Sequence, residues 1–225
     1  YEIYQCDWSS DVCSSDLSLN QIGSAINLEA PISKKTTFYS FITTSYKSSD
    51  AFAFTRNFSA KPERFPTSAN GSLIFIDGIM KRTNDGETYY SPHIQTKVND
   101  LSLATGIKVT SGNGWNWDLS NTLGRNDFNF FGDKTFNASK GASQTHFDDG
   151  GFNFLQNTLN LNFSKPLSEK TNLAFGVEQR FEKYQIYAGE EASYKNYGNG
   201  DKATGAQGFP GYQPTDERSE EHTSE

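Results

Sequence analysis

From Leu101 to Val109 the side chains alternate without a break. Leu101, Leu103, Thr105, Ile107 and Val109 take the odd positions, with Ser102, Ala104, Gly106 and Lys108 between them. The next run repeats the pattern. Trp115, Trp117, Leu119 and Leu123 alternate with Asn116, Asp118, Ser120 and Thr122, and only Asn121 departs from it. Farther on, Leu159, Leu161 and Phe163 oppose Thr158, Asn160 and Asn162, and Leu173, Phe175 and Val177 oppose Asn172, Ala174, Gly176 and Glu178. Extended backbone sends successive side chains to opposite sides, whereas a helix repeats every 3.6 residues and a disordered chain has no repeat. These segments are therefore expected to be strands with one apolar and one polar face.

Two further features choose among β-architectures. In a sandwich the outer face carries Lys, Glu and Thr in water; here the polar face is Gly, Ala, Ser and Asn, which suits the crowded, hydrated interior of a large barrel whose apolar face meets lipid. Short turns are expected at Pro31–Lys35, Ser111–Gly114 and Lys165–Lys170, and long polar connections at 57–90, 134–150 and 189–217. Strict alternation of tight turns and long loops is the layout of an outer-membrane meander. Six strands are read, at about 21–31, 36–56, 91–109, 114–133, 151–164 and 170–188. Several exceed the 9–11 residues that a tilted strand needs to cross a bilayer. Six strands cannot close a membrane barrel, and an open edge in lipid is forbidden, so more strands are expected in the natural protein. Trp115 and Trp117 at one end of a strand, with Phe128, Phe130 and Phe131 toward the other, suit the two headgroup interfaces. They suit ordinary cross-strand packing equally well.

The two ends of the chain carry a different signal. Arg218–Glu225 can be coded by AGATCGGAAGAGCACACGTCTGAA. The reverse complement of that string, read in another frame, runs through Ser10–Leu17. It resembles a short-read sequencing adapter, so residues 1–17 and 218–225 are expected to be non-native and 18–217 to be the natural segment. Both cysteines, Cys6 and Cys13, lie in the first of these ends, so no disulfide or thiolate site is expected in 18–217. The ends also hold seven of the 27 acidic residues and one of the 20 basic ones, so the net charge of −7 becomes −1 for 18–217. A near-neutral segment offers no basic stripe for nucleic acid. No run of 18 apolar residues is present, which removes a membrane helix and a signal-peptide core.

The stretch Asn172–Tyr194, with its LAFGVEQR and AGEEASY segments, followed by Gly208-Phe209-Pro210-Gly211-Tyr212-Gln213-Pro214, resembles the mid-barrel region of TonB-dependent outer-membrane receptors. Asn99–Asn121, Gly150-Gly151-Phe152 and Gln156-Asn157-Thr158 are similar to the strands just upstream. The resemblance implies a barrel of about 22 strands, an N-terminal plug and a segment that contacts the TonB energy-coupling complex. Neither the plug nor that segment is seen in this chain. It further implies the outer membrane of a Gram-negative bacterium, with a small nutrient or chelate captured on outer loops and imported by gated, energy-coupled transport. A passive porin and a soluble secreted carbohydrate-binding β-protein are the competing readings.

The barrel reading turns Leu101, Leu103, Ile107, Leu119, Leu159, Leu161, Phe163, Leu173, Phe175 and Val177 toward lipid. Glu178, Arg180 and Glu182 point into the lumen, where they pair with one another or a plug, or meet substrate. The loop aromatics Phe58, Phe65, Tyr89, Tyr90, Phe136, Tyr194, Tyr197, Phe209 and Tyr212 could stack on a ligand or pack on one another. His146-Phe147-Asp148-Asp149 and His93 invite a metal, but show no ligand spacing, so a solvated loop is the expectation and no metal is assigned. Asn84–Glu87 falls short of a calcium loop. No phosphate-binding glycine loop, catalytic constellation or cofactor motif is present, so neither enzyme activity nor a cofactor is expected.

Overall fold

The computed structural model describes residues 17–198. It is an all-β chain whose main element is a six-stranded antiparallel sheet. Its strands are β1 (Ser18–Ser33), β2 (Thr36–Phe52), β6 (His93–Thr110), β7 (Asn116–Asp133), β8 (His146–Ser168) and β9 (Thr171–Ala188), ordered β1-β2-β6-β7-β8-β9. Each neighbour in space is the next long strand in the chain. The small strands β3 (Arg56–Asn57), β4 (Lys81–Arg82) and β5 (Thr88–Tyr90) form a second sheet, ordered β3-β5-β4, within the connection from β2 to β6.

Two of the three tight connections are tighter than the sequence suggests, while the third spans the five residues between Thr110 and Asn116. Ser33 pairs with Thr36 and Ser168 with Thr171, leaving two-residue turns, and register shifts fall between Pro31 and Ser33 and between Pro166 and Ser168. Proline has no N–H for the ladder, so these strands tolerate it beside a bulge at their ends. β8 starts at His146 rather than near 151, because a register shift between Phe130 and Phe131 of β7 lets His146–Asp148 rejoin the ladder. Gly150 sits at that irregularity with φ +83°, where a Cβ would meet the backbone of Tyr187–Gly189.

The register sorts side chains into two faces, and their polarity exchanges partway along the strands. In the turn-side half, one face carries Leu103 of β6, Leu123 of β7 and Phe181 of β9 on a single rung with Asn157 of β8. Closer to the turns, that face carries Ile107, Leu119, Leu161 and Val177, then Val109, Trp117, Phe163 and Phe175. All ten residues assigned to the apolar face lie on it. Asn121, the exception to the alternation, exchanges side-chain hydrogen bonds with Asn157: its Nδ2 donates at 3.2 Å and its Oδ1 accepts at 3.1 Å. Two amides that satisfy each other can occupy an apolar face at little cost.

One rung farther toward the loops lie Leu101, Arg125, Leu155 and Lys183, and beyond it Asn99, Asp127, Asn153 and Gln185. The same face has become polar. The opposite face becomes apolar at the same height, with Val98, Phe128, Phe152 and Ile186 in register. The pairing of β6 with β7 runs through this zone without a register shift, so the exchange is a change of residue type on each face. It corrects the aromatic band expected at the far end of β7. Phe128 stacks on Phe152 and Phe130 lies tilted against both on one face, whereas Phe131 lies on the other beneath Lys97.

Gly106 serves a cross-strand contact. A Cβ there would lie 2.6 Å from the Tyr39 ring and 2.9 Å from the Leu119 carbonyl oxygen. Tyr39 of β2 lies across it and donates its hydroxyl hydrogen bond to Asp118 of β7 at 2.9 Å. Gly106→Ala is expected to displace the ring and weaken the fold by about 1–3 kcal/mol. Gly124→Ala, whose added methyl would find nothing within 4 Å, should be near neutral. Denaturant unfolding of the two variants checks this, and equal costs would reject the steric account of Gly106.

Candidate functional site at the loop end of the sheet

The long connections pack into one layer. Phe65, Met80, Tyr90 and Phe136 form a fully or nearly fully buried core, joined by Phe58, Leu73, Phe75, Ile76 and Ile79. Phe65 meets Phe58 and Tyr90 edge-on at centroid distances of 5.3 and 5.1 Å, and Tyr90 lies 4.5 Å from Phe136. Phe136 belongs to the connection after β7, so two long loops share this core. The connection from β7 to β8 also holds the one after β9. Asn137 donates from Nδ2 to the carbonyls of Ala192 and Lys195, both at 2.9 Å, and Ala192 packs on Phe147 beside the short helix α1 (Glu191–Tyr194).

This settles several loop aromatics. Phe65, Tyr90 and Phe136 are buried against one another and present no ring to a ligand. Burial also pushes the Tyr90 phenol well above its usual range. Tyr89 and Tyr194 are half-buried, Tyr197 is exposed, and Phe209 and Tyr212 lie outside the described residues, as do residues 1–16 and 218–225. Proximity of aromatics in sequence could not separate mutual packing from ligand stacking, because Tyr90 and Phe136, which close over Phe65, lie 25 and 71 positions from it.

Glu178, Arg180 and Glu182 share the polar face of β9. Arg180 bridges its two neighbours, at 3.2 Å to Glu178 and 3.7 Å to Glu182, and all three remain about half exposed. Such exposed pairs add little to stability.

A denser polar cluster lies where β2, β6, β7 and β8 meet the loops. Rung pairing sets His93 opposite Asp133, and Asp133 opposite His146. His93 donates or accepts through Nδ1 with Asp50 Oδ1 at 2.6 Å, and His146 Nδ1 lies 3.2 Å from Asp133 Oδ1. Gln95 donates from Nε2 to Asp50 at 2.7 Å and to Asp133 at 3.4 Å. Phe52 packs on the His93 ring, its centroid 4.3 Å away, which leaves the imidazole almost fully buried. The structure thus brings together the two histidines that the sequence left apart. The expected solvated loop at His146 is instead the first residue of β8. Asp50 and Asp133 were missed because Asp50 lies 43 positions from His93 and Asp133 38 from Gln95 and 13 from His146, and only strand pairing relates them.

Asp149 occupies the irregular stretch of β8. It is fully buried, and neither carboxylate oxygen has a hydrogen-bond partner. Burial chiefly, then the nearby Asp148 and Glu190 charges, raises its pKa to about 8. The folded state therefore keeps Asp149 protonated at neutral pH, while an unfolded chain ionises near 3.8. Stability is unaffected below that value, falls as the pH climbs from it toward about 8, and is constant above. Asp149→Asn is expected to stabilise the fold at about pH 9, by an amount of order a few kcal/mol, and to be neutral at about pH 4. Urea unfolding at the two pH values, with the protonated-carboxyl infrared band as a direct readout, checks this. A variant equally stabilised at both would show that ionisation is not the cause.

Comparison with protein-family models, with curated proteins and with solved structures returns no match to this chain. The functional reading therefore rests on the residues themselves.

Proposed function

We propose that residues 18–217 are an internal arc of the barrel of a TonB-dependent outer-membrane receptor, flanked by two non-native ends. In this reading the parent protein sits in the outer membrane of a Gram-negative bacterium. It binds a small nutrient or chelate on its outer loops and admits it through a gate opened by the TonB energy-coupling complex. The work is binding and transport.

The observation that carries the reading is the uncovered apolar face of the turn-side half. Ile26, Leu28, Leu119, Leu159, Leu173, Phe175, Val177 and Phe181 share it, with Leu101 at its loop-side border, and all are exposed. The buried apolar side chains among the described residues, Phe65, Met80, Tyr90, Val98, Phe136, Ala138, Phe147 and Ala192, belong to the loop-side half or the loops. Water does not tolerate so large a continuous patch, and lipid supplies the missing cover. Its height fits too. Leu101 to Val109 spans roughly 26 Å along the strand, or about 20 Å at a barrel tilt, near the ~25 Å apolar band of outer-membrane barrels. Trp115 and Trp117, with Phe163 and Phe175, make a ring belt at the turn-side border, where Trp115 meets Phe175 edge-on at 5.9 Å. The edges β1 and β9 are exposed along almost their whole lengths, as strands awaiting neighbours are.

Folded into lipid vesicles, Leu161→Arg is expected to cost about 2–4 kcal/mol, and Asn160→Arg on the opposite face distinctly less. Equal costs would sink the lipid-facing assignment. A soluble, monodisperse chain without detergent would favour the secreted β-protein instead. Genomic DNA flanking codons 18 and 217 separates the two barrel readings. A plug-encoding region upstream supports the receptor, and a gene that opens directly on barrel strands leaves a passive porin.

A further inference from the structure

Asp50, His93, Asp133 and His146 come from four adjacent strands and converge on one face at the loop end, beyond the apolar band. One donor atom from each of Asp50, His93 and Asp133 lies within 4.8 Å of the others; the exposed His146 stands outside that set, its Nδ1 3.2 Å from Asp133 Oδ1, and must turn toward the ion to serve as the fourth ligand. We infer that these four side chains bind a divalent transition-metal ion of the zinc class. The inference rests on the side-chain geometry that the sheet register sets, and stands whether or not the apolar face meets lipid.

The donor set decides the class of ion. Two imidazoles and two carboxylates suit zinc, cobalt or nickel; magnesium and calcium prefer all-oxygen shells. Preorganisation comes from Gln95. Its amide donates to one oxygen of Asp50 and one of Asp133, which leaves the remaining oxygens directed at His93 and His146. Two carboxylates held by one neutral amide repel each other, and a divalent ion between them removes that cost. The Phe52 ring fixes the His93 imidazole and shields it from water. Such orientation by surrounding groups is how metal ligands are held ready.

The nearest cation is the Lys134 ammonium, with Nζ 3.5 Å from His93 Nε2. Donation from Lys134 makes Nε2 an acceptor, so Nδ1 carries the proton shared with Asp50. A bound ion takes the place of that proton at Nδ1, and the imidazole stays neutral by carrying its one proton at Nε2 instead. Lys134 must then swing from the ring, and its charge opposes the ion until it does. Once seated, the ion ties β2, β6, β7 and β8 together beneath the loop layer.

Cobalt(II) titration of the whole 225-residue chain in detergent micelles, with strand content checked by circular dichroism, tests the site. The expected result is one equivalent of Co2+ per chain, with visible d–d bands displaced by Zn2+. His93→Ala and Asp133→Asn should each weaken binding by more than about 100-fold, and Gln95→Ala by about 10–100-fold with the bands unchanged in position. Lys134→Ala, which removes no ligand, should tighten binding. The chain holds three histidines, and His222→Ala, which alters the one outside the described residues, should change nothing. Binding that survives His93→Ala or Asp133→Asn, that follows His222, that is absent from a chain with intact strands, or that Lys134→Ala leaves unimproved would overturn the inference.

Discussion

Everything in this molecule depends on the backbone hydrogen-bond register of six consecutive strands. Side chains alternate across a strand, so once register is set, each residue belongs to one face and one rung. The rungs then act as levels. Ile107, Leu119, Leu161 and Val177 occupy one level, and His93, Asp133 and His146 another. A slip of one residue in any pairing would turn that strand's apolar set to the wrong side. The chain guards against slippage with two-residue turns at Lys34-Lys35 and Glu169-Lys170, and with Tyr39 laid across Gly106 to reach Asp118.

The exchange of face polarity divides the sheet into two zones with different physics. In the turn-side zone the apolar face has no cover and the polar face is made of small residues. In the loop-side zone the polar face holds Asp50, His93, Gln95 and Asp133, while Phe128, Phe130, Phe152 and Tyr184 cluster on the other. A soluble sandwich would keep one face apolar along the whole strand, since its core runs that length. A strand that leaves a lipid layer partway has no such need, because its outer face meets water above the border.

Above the border the loops form structure of their own. The connection from β2 to β6 carries a three-stranded sheet and a core of rings, and the connection after β7 contributes Phe136 to it. The polar groups inside this layer are mostly satisfied by local bonds, such as Asn137 to Ala192 and Lys195. Asp149 stands out, a buried carboxyl with neither oxygen hydrogen-bonded that stays buried by remaining protonated. The aromatic residues of these loops that looked most available from the sequence, Phe65, Tyr90 and Phe136, are the most completely buried.

The sequence alone determined the strand class, the meander order and the apolar face of the turn-side half. Period-two alternation and turn chemistry are local properties, and Leu101–Val109 carries them without reference to any other segment. It also determined that Asn121 stands off the pattern. Only the tertiary structure decided why. Its amide partner, Asn157, lies on the next strand, and sequence holds no record of which residue faces which. For the same reason only the pairing could tell that the aromatic run of β7 is split between faces, that His93 and His146 flank Asp133, and that Asp50 completes the cluster. Local alternation assigns a side chain to one of two faces; cross-strand register places it beside its neighbours, and the chemistry of a site depends on those neighbours.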